Sequence, residues 1–97
     1  MYGTIARLRV KPGMESKLLE LSRAQDALGI PGYAFGHVYR LDAGGGAYAM
    51  AVGFESREAY ARNADSPEQD ARYRAFRELL EADPEWLDGE IVHSYPS

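Results

Sequence analysis

The linker Asp42-Ala43-Gly44-Gly45-Gly46 stands between two segments of strand character, GYAFGHVYRL (32–41) and AYAMAVGF (47–54). Three successive glycines supply the positive φ angles that a short reversal needs, so the two segments are expected to pair as an antiparallel hairpin. A phosphate cradle would need the glycines to lead from a strand into a helix N-terminus. Here they lead into another strand.

The flanking segments complete a pattern around this hairpin. YGTIARLRV (2–10) alternates, with Tyr2, Thr4, Ala6, Leu8 and Val10 on one side and Ile5, Arg7 and Arg9 on the other, which predicts a strand. From Met14 the apolar positions Met14, Leu18, Leu21 and Leu28 recur at helical spacing, and Gly29 with Pro31 punctuates the end, which predicts a helix over 14–28. Ser56 is placed to cap a short helix over 57–64. Ser66-Pro67-Glu68-Gln69 reads as a capping box with proline at the first helical position, and the helix it starts is expected to run to about Ala82, with Tyr73, Phe76, Leu79 and Leu80 on its apolar face. Asp83-Pro84 stops it, and EWLDGEIVHSY (85–95) is the last predicted strand.

The predicted order is β, α, β, β, α, β, with the second helical region broken in two. This is the ferredoxin-like α+β arrangement: a four-stranded antiparallel sheet, order 4-1-3-2, with its helices on one face. A chain of 97 residues makes one domain, 1–97, burying about two thirds of its unfolded surface. The face without helices should be polar in a monomer, yet either assignment of strand faces leaves apolar side chains on both. A homodimer, sheet against sheet, is the simplest cover.

Composition excludes several classes of function. The chain has no cysteine, which removes disulfides, thiolate nucleophiles and cysteine-ligated metals. Its net charge is −4 and its basic residues are scattered, so no positive stripe is present for nucleic acid. Arg72, Arg74 and Arg77 read as part of a solvated mixed face with the neighbouring acids. No segment has the roughly 20 apolar residues of a membrane span, and the first residues alternate as a strand rather than forming a signal sequence, so the expected location is cytoplasmic.

The segment order, together with VKPG before the first helix, PGY entering the second strand, GFES leaving the third and a broken second helix, resembles the dimeric α/β-barrel superfamily and within it the antibiotic biosynthesis monooxygenase-like family. The resemblance implies oxidation of an aromatic or polyketide-like molecule by molecular oxygen, without metal, flavin or other cofactor, in a pocket between sheet and helices. The family motif is an asparagine, a tryptophan four residues later and a tyrosine six beyond that. Asn63 and Tyr73 match its ends, and Pro67 stands where the tryptophan would be. The related haem-degrading branch uses a histidine on the later helix, and residues 66–82 contain none.

Asn63 and Tyr73 also suit the chemistry as residue types, since a carboxamide and a phenol are donors for a developing oxyanion. Each has a plainer alternative: asparagine is common at helix ends, and Tyr73 shares a face with Phe76 and Leu80, where a core tyrosine is expected. His37 is the candidate general base, imidazole being suited to taking up protons at neutral pH, with a structural histidine as the alternative. His37 and His93 fall on opposite edge strands, so no metal is expected between them. The expected pocket lining is Tyr33, Phe35, Tyr60, Phe76 and Trp86, the last being equally a core or dimer anchor. The competing function is a non-catalytic dimer that binds a small apolar ligand or serves a stress or accessory role.

Overall fold

The computed structural model describes residues 1–96. Its elements are β1 (Tyr2–Arg9), α1 (Glu15–Asp26), β2 (Tyr33–Arg40), β3 (Ala47–Phe54), α2 (Arg57–Ala64), α3 (Pro67–Arg77) and β4 (Glu85–Glu90). They form one antiparallel sheet in the order β2-β3-β1-β4, the ferredoxin-like order. Gly44, Gly45 and Gly46 all have positive φ in the hairpin loop, which also accepts the Val10 N–H at the Gly46 carbonyl (2.8 Å).

Register assigns the faces. Thr4, Ala6 and Leu8 of β1 lie opposite Val52, Met50 and Tyr48 of β3, and Thr4 and Ala6 lie opposite Asp88 and Trp86 of β4. These residues share the helix side. Ile5 forms a row with His37, Ala51 and Leu87 on the other side, where Ile5, Leu87 and Tyr39 are all exposed. The structure thus has a partly apolar sheet face that no helix covers.

The main core cluster lies towards one end of the sheet, and Phe54 and Ala59 are buried towards the other. Ala6, Leu8, Val10, Leu18, Leu79 and Leu80 form a buried cluster, with Leu21, Met50 and Phe76 packed at its margin. Leu79 and Leu80 lie beyond α3, which ends at Arg77 rather than near Ala82. There the chain turns to pair with the end of β1, through Lys11 N to Leu79 O (2.8 Å), Glu81 N to Arg9 O (2.8 Å) and a Val10–Leu80 bridge. Extended pairing satisfies the backbone groups that a longer helix would have satisfied internally. The helix α1 also ends early, at Asp26, leaving Leu28 exposed before Gly29.

Strand β4 stops at Glu90, short of the predicted 85–95. Glu90 pairs with Tyr2, the first residue of β1, and Ile91 N bonds to Met1 O (2.9 Å) just past it. Among the described residues, no helix is long and apolar enough to cross a membrane.

The largest departure from the expected pattern is in β2. A bulge between Tyr33 and Phe35 sets Tyr33 opposite Phe54 and Phe35 opposite Gly53, neighbouring positions on β3 whose side chains point to opposite faces. An unbroken strand would place Tyr33, Phe35, His37 and Tyr39 in one row, and the bulge splits it. Tyr33 turns to the helix side, folds back over Gly36 and donates to Asp26 Oδ1 (2.8 Å); a Cβ on Gly36 would collide with its hydroxyl. Phe35 lies over Gly53 on the opposite side, stacked on His37 with ring centroids 5.4 Å apart.

Candidate functional site

No residue of α3 is fully buried, although its apolar stripe faces the sheet. The reason is a cleft. Between α1, the α2–α3 corner and the helix side of β1, β3 and β4 lies a space of about 850 Å³, lined by Asn63, Tyr73, Tyr60, Phe76 and Trp86 among others. Small-molecule sites typically span roughly 300–1,000 Å³.

The corner between α2 and α3 positions the polar end. Ser56 Oγ accepts from Ala59 N (3.1 Å) to start α2, and Ser66 Oγ accepts from Gln69 N (3.1 Å) to start α3 behind Pro67. The Ser66 hydroxyl also donates to the Asn63 carbonyl (2.9 Å), tying the end of α2 to the start of α3. The reciprocal half of the expected capping box is not formed. Ser66 N bonds to the Asn63 carbonyl (3.1 Å), and the Gln69 side chain is engaged elsewhere.

That engagement organises Asn63. Gln69 Oε1 accepts from Arg72 Nε (3.2 Å) and Nη2 (3.0 Å) and, at a long 3.4 Å, from Asn63 Nδ2; Arg72 Nη2 also donates to Asn63 Oδ1 (3.3 Å). A guanidinium only donates, so the amide oxygen of Asn63 faces Arg72, while one hydrogen of its NH₂ is directed at Gln69 Oε1 and the other has no partner among the described residues. The amide is thereby oriented, with one N–H left to donate. The sequence offered no signal for this role of Arg72, because it depends on the corner that brings residues 63 and 72 together. Arg74 and Arg77 do pair with acids, Asp70 and Asp83 rather than the Glu78 and Glu81 that follow them in the sequence.

Tyr73 follows on the same helix. The hydroxyls of Tyr33, Tyr48 and Tyr60 donate to Asp26, Glu15 and Asp88, whereas the Tyr73 hydroxyl has no partner among the described residues. Its ring packs between Phe76 and Trp86, each with its centroid 6.3 Å away. Trp86, the only tryptophan of the chain, is 43% exposed and reaches the cleft from β4. An indole therefore borders Tyr73 despite Pro67, but it comes from the sheet.

The far wall carries a second polar group. Tyr60 donates to Asp88 Oδ1 (3.2 Å), and its phenol is pushed up to about 12, first by burial and then by the Asp88 charge. Thr4 Oγ1 is buried beside this pair. It has no well-formed hydrogen bond among the described residues, although it lies near enough to Tyr60 to offset part of that rise.

The structure brings together Asn63, Tyr73, Tyr60, Phe76 and Trp86, and leaves out the other three candidates. His37 and Phe35 border a separate groove of about 800 Å³ on the helix-free face, shared with His93, and Tyr33 lies behind α1 at a smaller recess that His37 also borders. The bulge in β2 and the alternation of the strand are the physical reasons. Among the described residues, no group of three or more His, Asp or Glu side chains could hold a metal ion.

Solved structures share this architecture. An asparagine-to-alanine variant of SnoaB, a cofactor-independent oxygenase from Streptomyces nogalater, superposes with a TM-score of 0.82 at 15% identity, covering 99% of this chain and 97% of that one. An antibiotic biosynthesis monooxygenase-like protein from Caulobacter crescentus gives 0.80 at 18% identity (95% and 90% covered), and another from Chloroflexus aurantiacus gives 0.77 at 21% (97% and 95%). The chain shares the fold of these structures. At these identities the likeness concerns architecture. No family model and no curated protein matches the sequence.

Proposed function

We propose that this protein is a cofactor-independent monooxygenase acting on a small aromatic or polyketide-like substrate in the cleft between sheet and helices. The observation that carries the reading is that Asn63, with one amide N–H left over from its bond to Gln69, and Tyr73, whose hydroxyl has no partner among the described residues, line one apolar-walled cleft. Structural likeness to SnoaB supports it.

The chemistry requires an activated CH₂ group beside a carbonyl or phenol. Its proton is lost to a base, and the electrons pass onto the adjacent oxygen, where Asn63 Nδ2–H and Tyr73 Oη–H donate to the developing oxyanion. The carbanion carbon then bonds to O₂, the peroxide takes back the proton, and loss of water breaks the O–O bond to leave a new carbonyl. One oxygen atom enters product and one enters water, with every electron supplied by substrate. Asp88, on the sheet side of the cleft, is assigned as the base in place of His37, which does not border this cleft. Phe76 and Trp86 supply the dry aromatic wall.

A homodimer through the helix-free face belongs to the same reading, supported by the exposed apolar side chains of Ile5, Leu87 and Tyr39. A second reading, a non-catalytic binder of small apolar ligands, is favoured by Pro67 at the position of the family's tryptophan. Oxygen-electrode measurements on chelator-treated protein with an anthrone, combined with ¹⁸O₂ labelling, separate the two. Consumption of one O₂ per anthrone, with one labelled atom in the product, supports the enzyme. Ligand binding without oxygen uptake supports the binder.

A further inference from the structure

Arg72 is the one Lys, Arg or His side chain that lines the cleft, and it forms no ion pair among the described residues. Its three hydrogen bonds go to neutral amide oxygens, Gln69 Oε1 twice and Asn63 Oδ1 once. Those bonds use Nε–H and both hydrogens of Nη2. Both hydrogens of Nη1 have no partner among the described residues, in a side chain that is partly withdrawn from water. Amide oxygens orient a guanidinium but do not neutralise it, so a full positive charge faces an aromatic-walled space.

Neither carboxylate bordering the cleft forms a salt bridge with Arg72: Asp70 is paired with Arg74, and Asp88 keeps its charge while accepting from Tyr60. A fixed, preoriented guanidinium with two spare donors is matched by a planar oxyanion, carboxylate or phenolate, while Asp88 disfavours a second negative charge at the opposite wall.

We propose that Arg72 is an anion-recognition residue and that the cleft selects planar aromatic monoanions, with the anionic oxygen at Arg72 and the ring against Tyr73 and Trp86. The inference rests on the cleft being the ligand site, as the monooxygenase reading holds, but it does not depend on turnover. Charge-blind binding with oxygen uptake intact would refute the anion proposal alone. Charge-selective binding without oxygen uptake would refute only the enzyme.

The test is calorimetric titration with 2-naphthoate and its neutral isostere 2-naphthamide. Wild-type protein should bind the carboxylate at least tenfold more tightly than the amide. In Arg72→Gln that ratio should fall to near one through weaker naphthoate binding, with naphthamide within twofold of wild type, and Arg72→Lys should restore part of the ratio. A merely structural role for Arg72 would change both affinities alike. Equal affinities in the wild type, an unchanged ratio in Arg72→Gln, or binding of neither probe would overturn the proposal. Should Arg72→Gln fail to fold, the wild-type Arg72 Nε–H resonance decides: a shift with naphthoate but not naphthamide supports the proposal, and no selective shift overturns it.

Discussion

The rings of Tyr73 on α3 and Trp86 on β4 lie 6.3 Å apart at 50°, making a tilted aromatic pair at the cleft between helix and sheet. The sheet thus supplies the indole that Pro67 cannot. An aromatic ligand seated there would gain about 0.5–1.5 kcal/mol from such contact beyond its burial. Trp86→Ala is therefore expected to weaken binding of flat aromatic ligands roughly three- to tenfold. Because Trp86 is 43% exposed, its thermal unfolding should change little. Calorimetric titration and a melting curve on the same variant check both statements.

The α2–α3 corner should be sensitive to its cap. Ser66 Oγ accepts from Gln69 N and donates to the Asn63 carbonyl. Ser66→Ala is expected to cost about 1 kcal/mol, read as a lower denaturation midpoint at unchanged slope. An unaltered midpoint would count against the corner as described.

Tyr60 should titrate late. Burial and the Asp88 carboxylate hold its phenol up to about 12 against an ordinary value of 10. The folded state keeps this proton more firmly than the unfolded chain does. The stabilisation is therefore complete below pH 10 and is lost as pH rises from 10 towards 12. The Tyr60 ¹³Cζ resonance should move near pH 12, and Asp88→Asn should bring that transition down without restoring the ordinary value, since burial remains.

The helix-free face should associate. Ile5 and Leu87 are cross-strand partners there, both exposed in a single chain. Sedimentation at micromolar concentration is expected to give twice the monomer mass, and the double variant Ile5→Glu, Leu87→Glu should shift it to the monomer. A wild-type protein that sediments only as a monomer would contradict the dimer.

Much of this arrangement was legible from periodicity. The alternation in residues 2–10 assigned the two faces of β1 correctly, and the glycine linker marked the hairpin. A period-two reading assumes an unbroken strand, however, and the bulge at Tyr33–Phe35 reverses every assignment on one side of it. For the same reason Tyr33 and His37 cannot be read as one row. Arg72 escaped notice because nothing local distinguishes it from Arg74 and Arg77; its partners Asn63 and Gln69 are brought to it by the tertiary turn. Leu79 and Leu80 show the helical spacing of α3 but are buried by pairing with β1, a long-range contact that local periodicity does not encode.

The account turns on the Tyr73 hydroxyl as a donor in the reaction rather than as part of a packed core. Tyr73→Phe keeps the ring against Phe76 and Trp86 and removes one oxygen that has no partner among the described residues. Oxygen uptake with an anthrone by wild type and Tyr73→Phe, measured side by side, is the direct measurement. The account predicts uptake by the wild type and a loss of roughly 10²-fold or more in the variant, the scale of removing one oxyanion donor, with the melting temperature nearly unchanged. Equal rates in the two proteins would contradict it.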